Sequence, residues 1–122
     1  MSKKNGNDRL IGWLVSYQLD KMGKAYELRS GRSFIASRPV ENEPTISIDE
    51  QDIDTPHLAL SASKNHKLMA QDIFSSGGSY LKRCQSDEEV QLGSPVQLKH
   101  GDWIRIGEKI RFQVCLINGA GK

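Results

Sequence analysis

The stretch LKHGDWIRIG, at residues 98–107, has the sequence of a turn followed by a β-strand. Residues 100–102 (His-Gly-Asp) are of the kinds that turns favour, and residues 103–106 then alternate as they do in a half-buried strand. Gly107 permits the chain to reverse, and residues 110–117 have the composition of a returning strand. The stretch therefore predicts a closing β-hairpin.

The same pattern, short strands separated by turn residues, recurs in the rest of the chain. Short runs rich in β-branched and aromatic residues are separated, roughly every 8 to 12 residues, by Gly, Pro, Asn, Asp or Ser. No window places apolar residues at helical spacing after a capping residue. The pattern therefore predicts an all-β sandwich. The further strands are predicted at residues 11–19, 25–29, 33–37, 45–48, 58–63, 67–72, 80–82, 88–90 and 96–98.

Alternation along these strands predicts which side chains form the core. Successive side chains of a strand point to opposite faces, so apolar residues two positions apart share a face. In the first strand, the alternating apolar residues are Trp13, Val15 and Tyr17. The side chains expected to be mostly buried are Trp13, Phe34, Ile46, Ile48, Leu60, Leu68, Ile73, Ile104, Phe112 and Val114.

The composition indicates one small folded domain. A chain of 122 residues fits one domain, and its 37% hydrophobic and 26% charged residues are typical of a soluble globular protein. The formal net charge of +2 is too small to indicate a nucleic acid or membrane partner. No apolar run reaches the roughly 18 residues of a membrane-spanning helix. Residues 10–15 are too interrupted for a signal peptide, so the cytoplasm is the expected location.

Neither the cysteines nor the acidic residues form a recognisable metal site. Cys84 and Cys115 lack CxxC or Cys/His spacing, and we expect two free thiols in a reducing compartment rather than a disulfide. The loop at residues 49–56 carries four acidic residues but lacks the glycine and the closing glutamate of an EF-hand. We therefore expect no metal and no cofactor.

No sequence motif indicates catalysis. The three histidines, His57, His66 and His100, have no serine or cysteine nucleophile near them in a known pattern. The pair Gly77-Gly78 lacks the lysine and the strand-to-helix context of a nucleotide-binding loop. Catalytic triads assemble in space, so an enzyme stays open as a remote alternative. The expected function is non-catalytic.

Four segments carry, in order, motifs that resemble those of the forkhead-associated (FHA) domain family. They are Gly31-Arg32-Ser33, then Ile46-Ser47-Ile48 with Asp54-Thr55-Pro56-His57, then DIFSSGGSY at residues 72–80, then LKHGDWIRIG at residues 98–107. The resemblance implies two packed β-sheets of about eleven strands, with loops at one end that form a site for phosphothreonine peptides. It places the domain at residues 11–117. The tails at residues 1–10 and 118–122 are expected to be disordered or frayed.

The resemblance also implies roles for individual residues. Arg32 matches the phosphate-binding arginine, whose guanidinium can present two parallel donors to a phosphate. Ser76 matches a hydroxyl donor to the phosphate, and His57 matches a buried strut that ties the phosphate loop to its neighbour. The segments expected to gather at one end are Gly31-Arg32, Asp54-Thr55 and residues 75–79, and the supporting residues are His57, Gly31, Gly78, Ser79 and Lys82.

Three positions depart from the family pattern. Asp54 stands where the family has a phosphate-binding serine, Thr55 where arginine or asparagine is common, and Gly77 where an asparagine grips the peptide backbone. Two like charges about 4 Å apart repel by about 1 kcal/mol in water and by about 4 kcal/mol at an effective dielectric constant of 20. Asp54 is also well placed to pair with Arg32 and so to occupy the pocket from within. The Thr55 hydroxyl offers a substitute donor if the loop is shifted by one residue.

These features leave two interaction functions open. One is a phosphopeptide-binding module whose phosphate pocket is partly eroded. The other is a phosphate-independent protein-interaction domain on the same scaffold. In both cases the expected partner is a protein or peptide, with phosphothreonine in the first case. The contact that separates the two is whether Arg32 faces an open pocket or is bonded to Asp54.

Overall fold

Every regular element within residues 9–117 is a β-strand. The computed structural model describes residues 9–117, and this part of the chain contains no helix that is long and apolar enough to cross a membrane. Each predicted strand is present, with ends that differ by a few residues. The strands are β1 (Leu10–Ser16), β2 (Lys24–Arg29), β3 (Gly31–Ala36), β4 (Thr45–Ser47), β5 (Leu58–Ala62), β6 (Leu68–Asp72), β7 (Ser79–Lys82), β8 (Glu89–Gln91), β9 (Val96–Leu98), β10 (Trp103–Ile106) and β11 (Ile110–Leu116).

The strands form two sheets that enclose one core. The six-stranded sheet has the order β2-β1-β11-β10-β7-β8, and the five-stranded sheet has the order β4-β3-β5-β6-β9. Strands β3 and β4 pair in parallel, and the other described pairs are antiparallel. The predicted two-sheet sandwich of about eleven strands is confirmed.

The first strand begins one residue before the predicted domain boundary. Leu10 belongs to β1, and the backbone amide of Arg9 donates a hydrogen bond to the hydroxyl of Ser30 at 3.0 Å. The described fold therefore includes Leu10 and a backbone contact of Arg9, two residues at the end of the predicted tail. The rest of that tail, residues 1–8, and the predicted C-terminal tail, residues 118–122, lie outside the described part of the chain.

The core consists of the inward-facing aliphatic side chains of both sheets around Phe112, which is fully buried. Phe34 is only half-buried, contrary to prediction, because it shares the outer face of β3 with Arg32, whose guanidinium lies 5.8 Å from its ring. Ile73 is also half-buried, since it follows the end of β6. The predicted core residues that are buried are Ile46, Ile48, Leu60, Leu68, Ile104, Phe112 and Val114.

Strand β1 turns inward the face opposite to the predicted one. Leu14 and Ser16 are buried, whereas Trp13 and Val15 are half-buried on the outer face and Tyr17 is exposed. Because side chains alternate with a period of two, a shift of one residue exchanges the complete inward and outward sets. The prediction that Trp13 belongs to the core is therefore wrong.

Several loops meet at one end of the sandwich, which we call the loop end. It comprises residues 37–38 after β3, residues 48–57 between β4 and β5, residues 73–78 between β6 and β7, and residues 107–109 between β10 and β11. Backbone hydrogen bonds connect these loops. The amide of Ser37 donates to the carbonyl of Asp54 at 3.0 Å, and the amide of Gly107 donates to the carbonyl of Gly78 at 3.1 Å.

Candidate functional site

Asp54 and Ser76 join two loops of the loop end. One carboxylate oxygen of Asp54 accepts the backbone N–H of Ser76 at 2.8 Å. The hydroxyl of Ser76 lies 3.2 Å and 3.3 Å from the two carboxylate oxygens, so the carboxylate also accepts this donor. Both donors of Ser76 that could hold an anionic ligand are therefore directed at a carboxylate of the same chain.

Thr55 contacts the segment that leaves β3. Its hydroxyl oxygen lies 2.7 Å from the Ser37 hydroxyl and accepts the backbone N–H of Arg38 at 3.2 Å. The Arg38 side chain is exposed, and no ion pair or side-chain hydrogen bond holds its guanidinium within residues 9–117. Arg38 is thus a cation placed beside the Asp54-Thr55 segment.

His57 connects the same two loops from below. Its side chain is fully buried, with a relative exposure of 0%. The backbone N–H of Asp54 donates to Nδ1 at 3.0 Å, and Nε2 lies 2.9 Å from the carbonyl oxygen of Gly78. Since Nδ1 accepts, Nε2 carries the proton and donates it, which makes His57 a neutral imidazole with both nitrogens occupied. Such a side chain supports the loops and has no free nitrogen for acid–base chemistry.

Asp72 shapes the β6–β7 loop. Its carboxylate accepts the hydroxyls of Ser75 and Ser79, each at 2.5 Å, and the backbone N–H of Ser75 at 3.0 Å. Ser79 is fully buried and therefore supports the loop rather than facing a ligand. Gly78 has a φ of 80°, which favours glycine, and a Cβ there would meet the Tyr80 hydroxyl at 2.8 Å.

Gly77 lies against the backbone of the acidic loop. A Cβ built on Gly77 would come within 2.8 Å of the Asp52 carbonyl oxygen and 3.3 Å of the Gly107 Cα. The Asp52 carboxylate in turn accepts the backbone N–H of Glu108 at 2.8 Å, which holds the loop in this place. No side chain fits at position 77 unless the loop moves. Glycine here is thus a packing requirement, and the side-chain amide of the family pattern has no room.

Phe74 is exposed at the tip of the β6–β7 loop. Its relative exposure is 99%, and its φ is 49°, in the left-handed region that disfavours residues with a Cβ. Neither burial nor backbone preference within the described chain accounts for a phenylalanine at this position.

The loop end carries more acid than base. Asp49, Glu50, Asp52 and Asp54 all belong to the β4–β5 loop, which has no lysine or arginine. The β10–β11 turn adds Glu108 and Lys109, residues 73–78 are uncharged, and residues 37–38 add Arg38. The field at this end therefore favours cationic over anionic groups.

Arg32 does not lie at the loop end, contrary to the expectation drawn from the resemblance. It pairs with Ser61 near the start of β3, about 16 Å along the strand from Ser37. Its guanidinium donates to the Glu43 carboxylate at 2.6 Å, and this hydrogen bond raises the pKa of Arg32. The physical reason is the parallel register of β3 and β4, which brings residue 43 beside residue 32. Arg32 therefore pairs with Glu43 and not with Asp54.

Two supporting residues are also placed away from the loop end. Gly31, with a φ of 108°, is the first residue of β3, next to Arg32. Lys82 lies at the far end of β7 on the outer face of the six-stranded sheet, opposite Trp103 and Glu89. The structure therefore brings together Asp54, Thr55, His57, Ser76, Gly77, Gly78 and Ser79, and separates them from Gly31, Arg32 and Lys82.

Ser37 and Arg38 are the site residues that sequence reasoning missed. The Gly-Arg pair at residues 31–32 matches the family motif literally, and the resemblance therefore points to Arg32. A site built from loops needs an arginine where a strand ends. Ser37 and Arg38 are the two residues that follow β3, and Arg38 precedes Pro39, a residue typical of loops. This Arg-Pro pair is the sequence signal for an arginine in a loop.

No metal site is present among the described residues. Within residues 9–117, no three His, Cys, Asp or Glu side chains approach one another closely enough to hold an ion. Cys84 and Cys115 are free thiols.

Comparisons with known proteins identify the family. The FHA domain profile matches residues 23–107, well over half of the chain. The FHA domain of an Arabidopsis thaliana hypothetical protein is 24% identical, with a TM-score of 0.70, and the match covers 100% of this chain and 98% of that one. The FHA domain of the Chlamydia trachomatis protein CT664 is 16% identical, with a TM-score of 0.71 and coverages of 86% and 96%.

A third similar structure comes from work on phosphothreonine-dependent FHA domain interactions. It is 20% identical, with a TM-score of 0.67, and the match covers 88% of this chain and 97% of that one. Among curated proteins, no relative matches the sequence. The fold, the order of the motifs and the profile match agree, and the chain belongs to the FHA domain family, whose members are known as phosphopeptide-binding interaction modules.

Proposed function

We propose that this FHA domain is a non-catalytic protein-interaction module that binds its partner at the loop end without requiring a phosphate group on that partner. The observation that carries the proposal is the contact between Asp54 and Ser76. The amide and hydroxyl of Ser76 already donate to the Asp54 carboxylate. A phosphate at this point would have to displace the carboxylate and remain close to it, and the two anions repel.

The charge of the surrounding loops supports the same proposal. A phosphothreonine carries nearly two negative charges, and a site for it needs an excess of cations. The β4–β5 loop instead contributes four carboxylates and no lysine or arginine. A partner with basic side chains, or with an apolar pocket that receives the exposed Phe74, suits this surface better than a phosphorylated one.

One observation favours a second candidate, a phosphothreonine reader with an altered pocket. The exposed guanidinium of Arg38 has no ion pair within residues 9–117 and follows directly on Ser37, which contacts Thr55. Arg38 and the Ser37 and Thr55 hydroxyls form part of a phosphate-binding set. The similar FHA domain studied for phosphothreonine-dependent interactions makes this the natural alternative. Asp54 is the reason for ranking it second.

The proposal includes the class of partner and the location. The partner is a protein, since the small net charge of +2 favours neither nucleic acid nor a membrane surface. The free thiols of Cys84 and Cys115 are compatible with a reducing compartment, and we place the protein in the cytoplasm.

The test has two arms. In the first, calorimetry compares a library of phosphothreonine peptides with the matched unphosphorylated peptides. We expect dissociation constants in the tens of micromolar or weaker for both sets, about 6 kcal/mol or less. In the second, the protein captures partners from a lysate of the source organism before and after phosphatase treatment. We expect the captured proteins to be the same, and to be reduced by Phe74→Ala but not by Met69→Ala.

The control Met69 is an exposed apolar residue on β6, within the five-stranded sheet. The proposal is wrong if the unmodified protein binds a phosphothreonine peptide with sub-micromolar affinity, and if this binding is lost both with the unphosphorylated peptide and in the Arg38→Ala variant. It is equally wrong if phosphatase treatment removes the captured partners.

A further inference from the structure

The outer face of the six-stranded sheet carries aromatic residues where a solvated face is ordinarily polar. Both tryptophans of the chain lie here, Trp13 on β1 and Trp103 on β10, and both are half-buried. Cross-strand pairing places Val15 and Trp103 on either side of Gln113, in one row across β1, β11 and β10. This face lies outside the loop end described above.

Trp103 borders a pocket on this face. The pocket has a volume of about 230 Å³ and is lined by Lys82, Glu89, Trp103, Ile104, Arg105 and Arg111. A cavity of about 150 Å³ suffices to bind benzene, so this pocket has room for one aromatic or branched aliphatic side chain.

One wall of the pocket is fixed in place by Arg105. Its guanidinium makes two parallel hydrogen bonds to the Glu89 carboxylate, at 3.0 Å and 2.8 Å, and a further one to the Gly107 carbonyl. It also lies 4.0 Å from the centre of the Tyr80 ring. An arginine held in this way on a strand keeps one geometry, so the wall is organised before any ligand arrives.

The positive charge of the pocket is not neutralised. Arg105 and Arg111 lie directly opposite each other across β10 and β11, and like charges in that position are unfavourable. Among the residues that line the pocket, Glu89 supplies a carboxylate, and this carboxylate is paired with Arg105. Lys82 and Arg111 have no ion pair within residues 9–117. Two free cations thus flank one apolar opening.

We propose that this pocket is a second binding site, which takes an acidic segment of a partner protein and receives one of its apolar side chains beside Trp103. Carboxylates of the segment pair with Lys82 and Arg111 and relieve the repulsion between Arg105 and Arg111. Tryptophan, tyrosine and arginine are the residues that most often dominate protein interfaces, and all three are present. A nucleic acid suits the site less well, because its binding needs an extended basic stripe, and here the free cations are two.

The test uses tryptophan fluorescence. In Trp13→Phe, the emission reports on Trp103 alone, and the indole N–H signal of Trp103 in the unmodified protein gives the same information by NMR if that variant is unstable. The probe is a short synthetic peptide of Glu and Gly with one central Leu. We expect the peptide to shift the Trp103 signal in a saturable way. The double variant Lys82→Glu with Arg111→Glu is expected to weaken binding by at least about tenfold.

Three controls keep the result specific. The double variant Lys21→Glu with Lys99→Glu alters the net charge equally at exposed positions that do not line the pocket. The proposal is overturned if this control weakens binding as much, or if the peptide without its central Leu binds as well. It is also overturned if a single-stranded oligonucleotide binds more tightly than the peptide. Self-association that Lys82→Glu and Arg111→Glu abolish would assign the pocket to a second copy of this chain instead.

Discussion

The carboxylate of Asp54 holds Ser76 through two donors, its backbone amide at 2.8 Å and its hydroxyl at 3.2 Å and 3.3 Å. The contact crosses from the β4–β5 loop to the β6–β7 loop. An acidic side chain of the domain thus engages the donors that an anionic ligand would otherwise recruit. The Asp54 carboxylate thus stabilises the loops and disfavours the binding of a phosphate. A substitution of Asp54 allows the two effects to be measured separately, one as stability and the other as affinity.

Replacing Asp54 with serine is expected to create phosphate binding. Asp54→Ser removes a repulsion worth about 1 to 4 kcal/mol and frees both donors of Ser76. Calorimetry should therefore show phosphothreonine peptides binding at least about tenfold more tightly than to the unmodified protein. The variant should also lose about 1 kcal/mol of stability, because the Ser76 amide loses its acceptor.

The cation that supports this new binding should be Arg38 and not Arg32. In the Asp54→Ser background, Arg38→Ala should abolish the gain, because the exposed guanidinium follows directly on Ser37 at the loop end. Arg32→Ala serves as the matched control and should leave binding unchanged, since Arg32 is bonded to Glu43. The reverse pattern would show that the loop end has been assigned to the wrong arginine.

The two arginines show how far the sequence alone leads. The spacing of turn residues between short strands, together with the order of the motifs, is enough to predict the sandwich and its eleven strands. Turn residues and alternation are local signals, which a sequence displays directly. The position of an arginine relative to a site depends on strand register and on which end of a strand a loop leaves. The parallel pairing of β3 with β4 places Arg32 beside Glu43, and no local pattern encodes that pairing.

Gly77 illustrates a second limit. Comparison with the family pattern suggests that Gly77→Asn would restore a side-chain amide that grips the peptide backbone. The structure predicts the opposite result, because the new Cβ would meet the Asp52 carbonyl oxygen at 2.8 Å. Forcing a side chain into such a contact costs about 1 to 3 kcal/mol. Chemical denaturation should show this loss for Gly77→Asn and a much smaller change for Gly93→Asn, where a Cβ meets no atom within 4 Å.

Removing the imidazole of His57 should destabilise the domain without removing any activity. His57→Ala deletes two buried hydrogen bonds, to the Asp54 amide and the Gly78 carbonyl, and leaves a cavity. The expected cost is about 2 to 4 kcal/mol in the free energy of unfolding. Hydrogen exchange at the Asp54 amide should be faster in His57→Ala than in the control variant His100→Ala, in which the replaced histidine is exposed. A catalytic turnover that disappears in a folded His57→Ala protein would contradict the non-catalytic assignment.

Acid should weaken the pair formed by Arg105 and Glu89. The hydrogen bond from Arg105 lowers the pKa of Glu89 from its ordinary value of 4.5. A carboxyl group with a lowered pKa in the folded state stabilises the fold fully well above pH 4.5, and this contribution is lost as the pH falls through the lowered pKa. In thermal unfolding over this range, Glu89→Gln should reduce the dependence on pH. The neighbouring exposed Glu88→Gln should retain it.

Replacing Phe74 is expected to stabilise the domain. A residue with a Cβ in the left-handed region costs about 1 kcal/mol, and asparagine tolerates that region better than phenylalanine. Since the side chain is 99% exposed, its removal loses no burial. Phe74→Asn should therefore raise the free energy of unfolding by about 0.5 to 1 kcal/mol. Met22→Asn, at an exposed position without a positive φ, should not raise it.

A strained residue that the fold does not need is typical of a binding site, so the stabilised Phe74→Asn variant should also capture less partner than the unmodified protein. A variant that is less stable than the unmodified protein would show that Phe74 packs against its own domain and is not available to a partner.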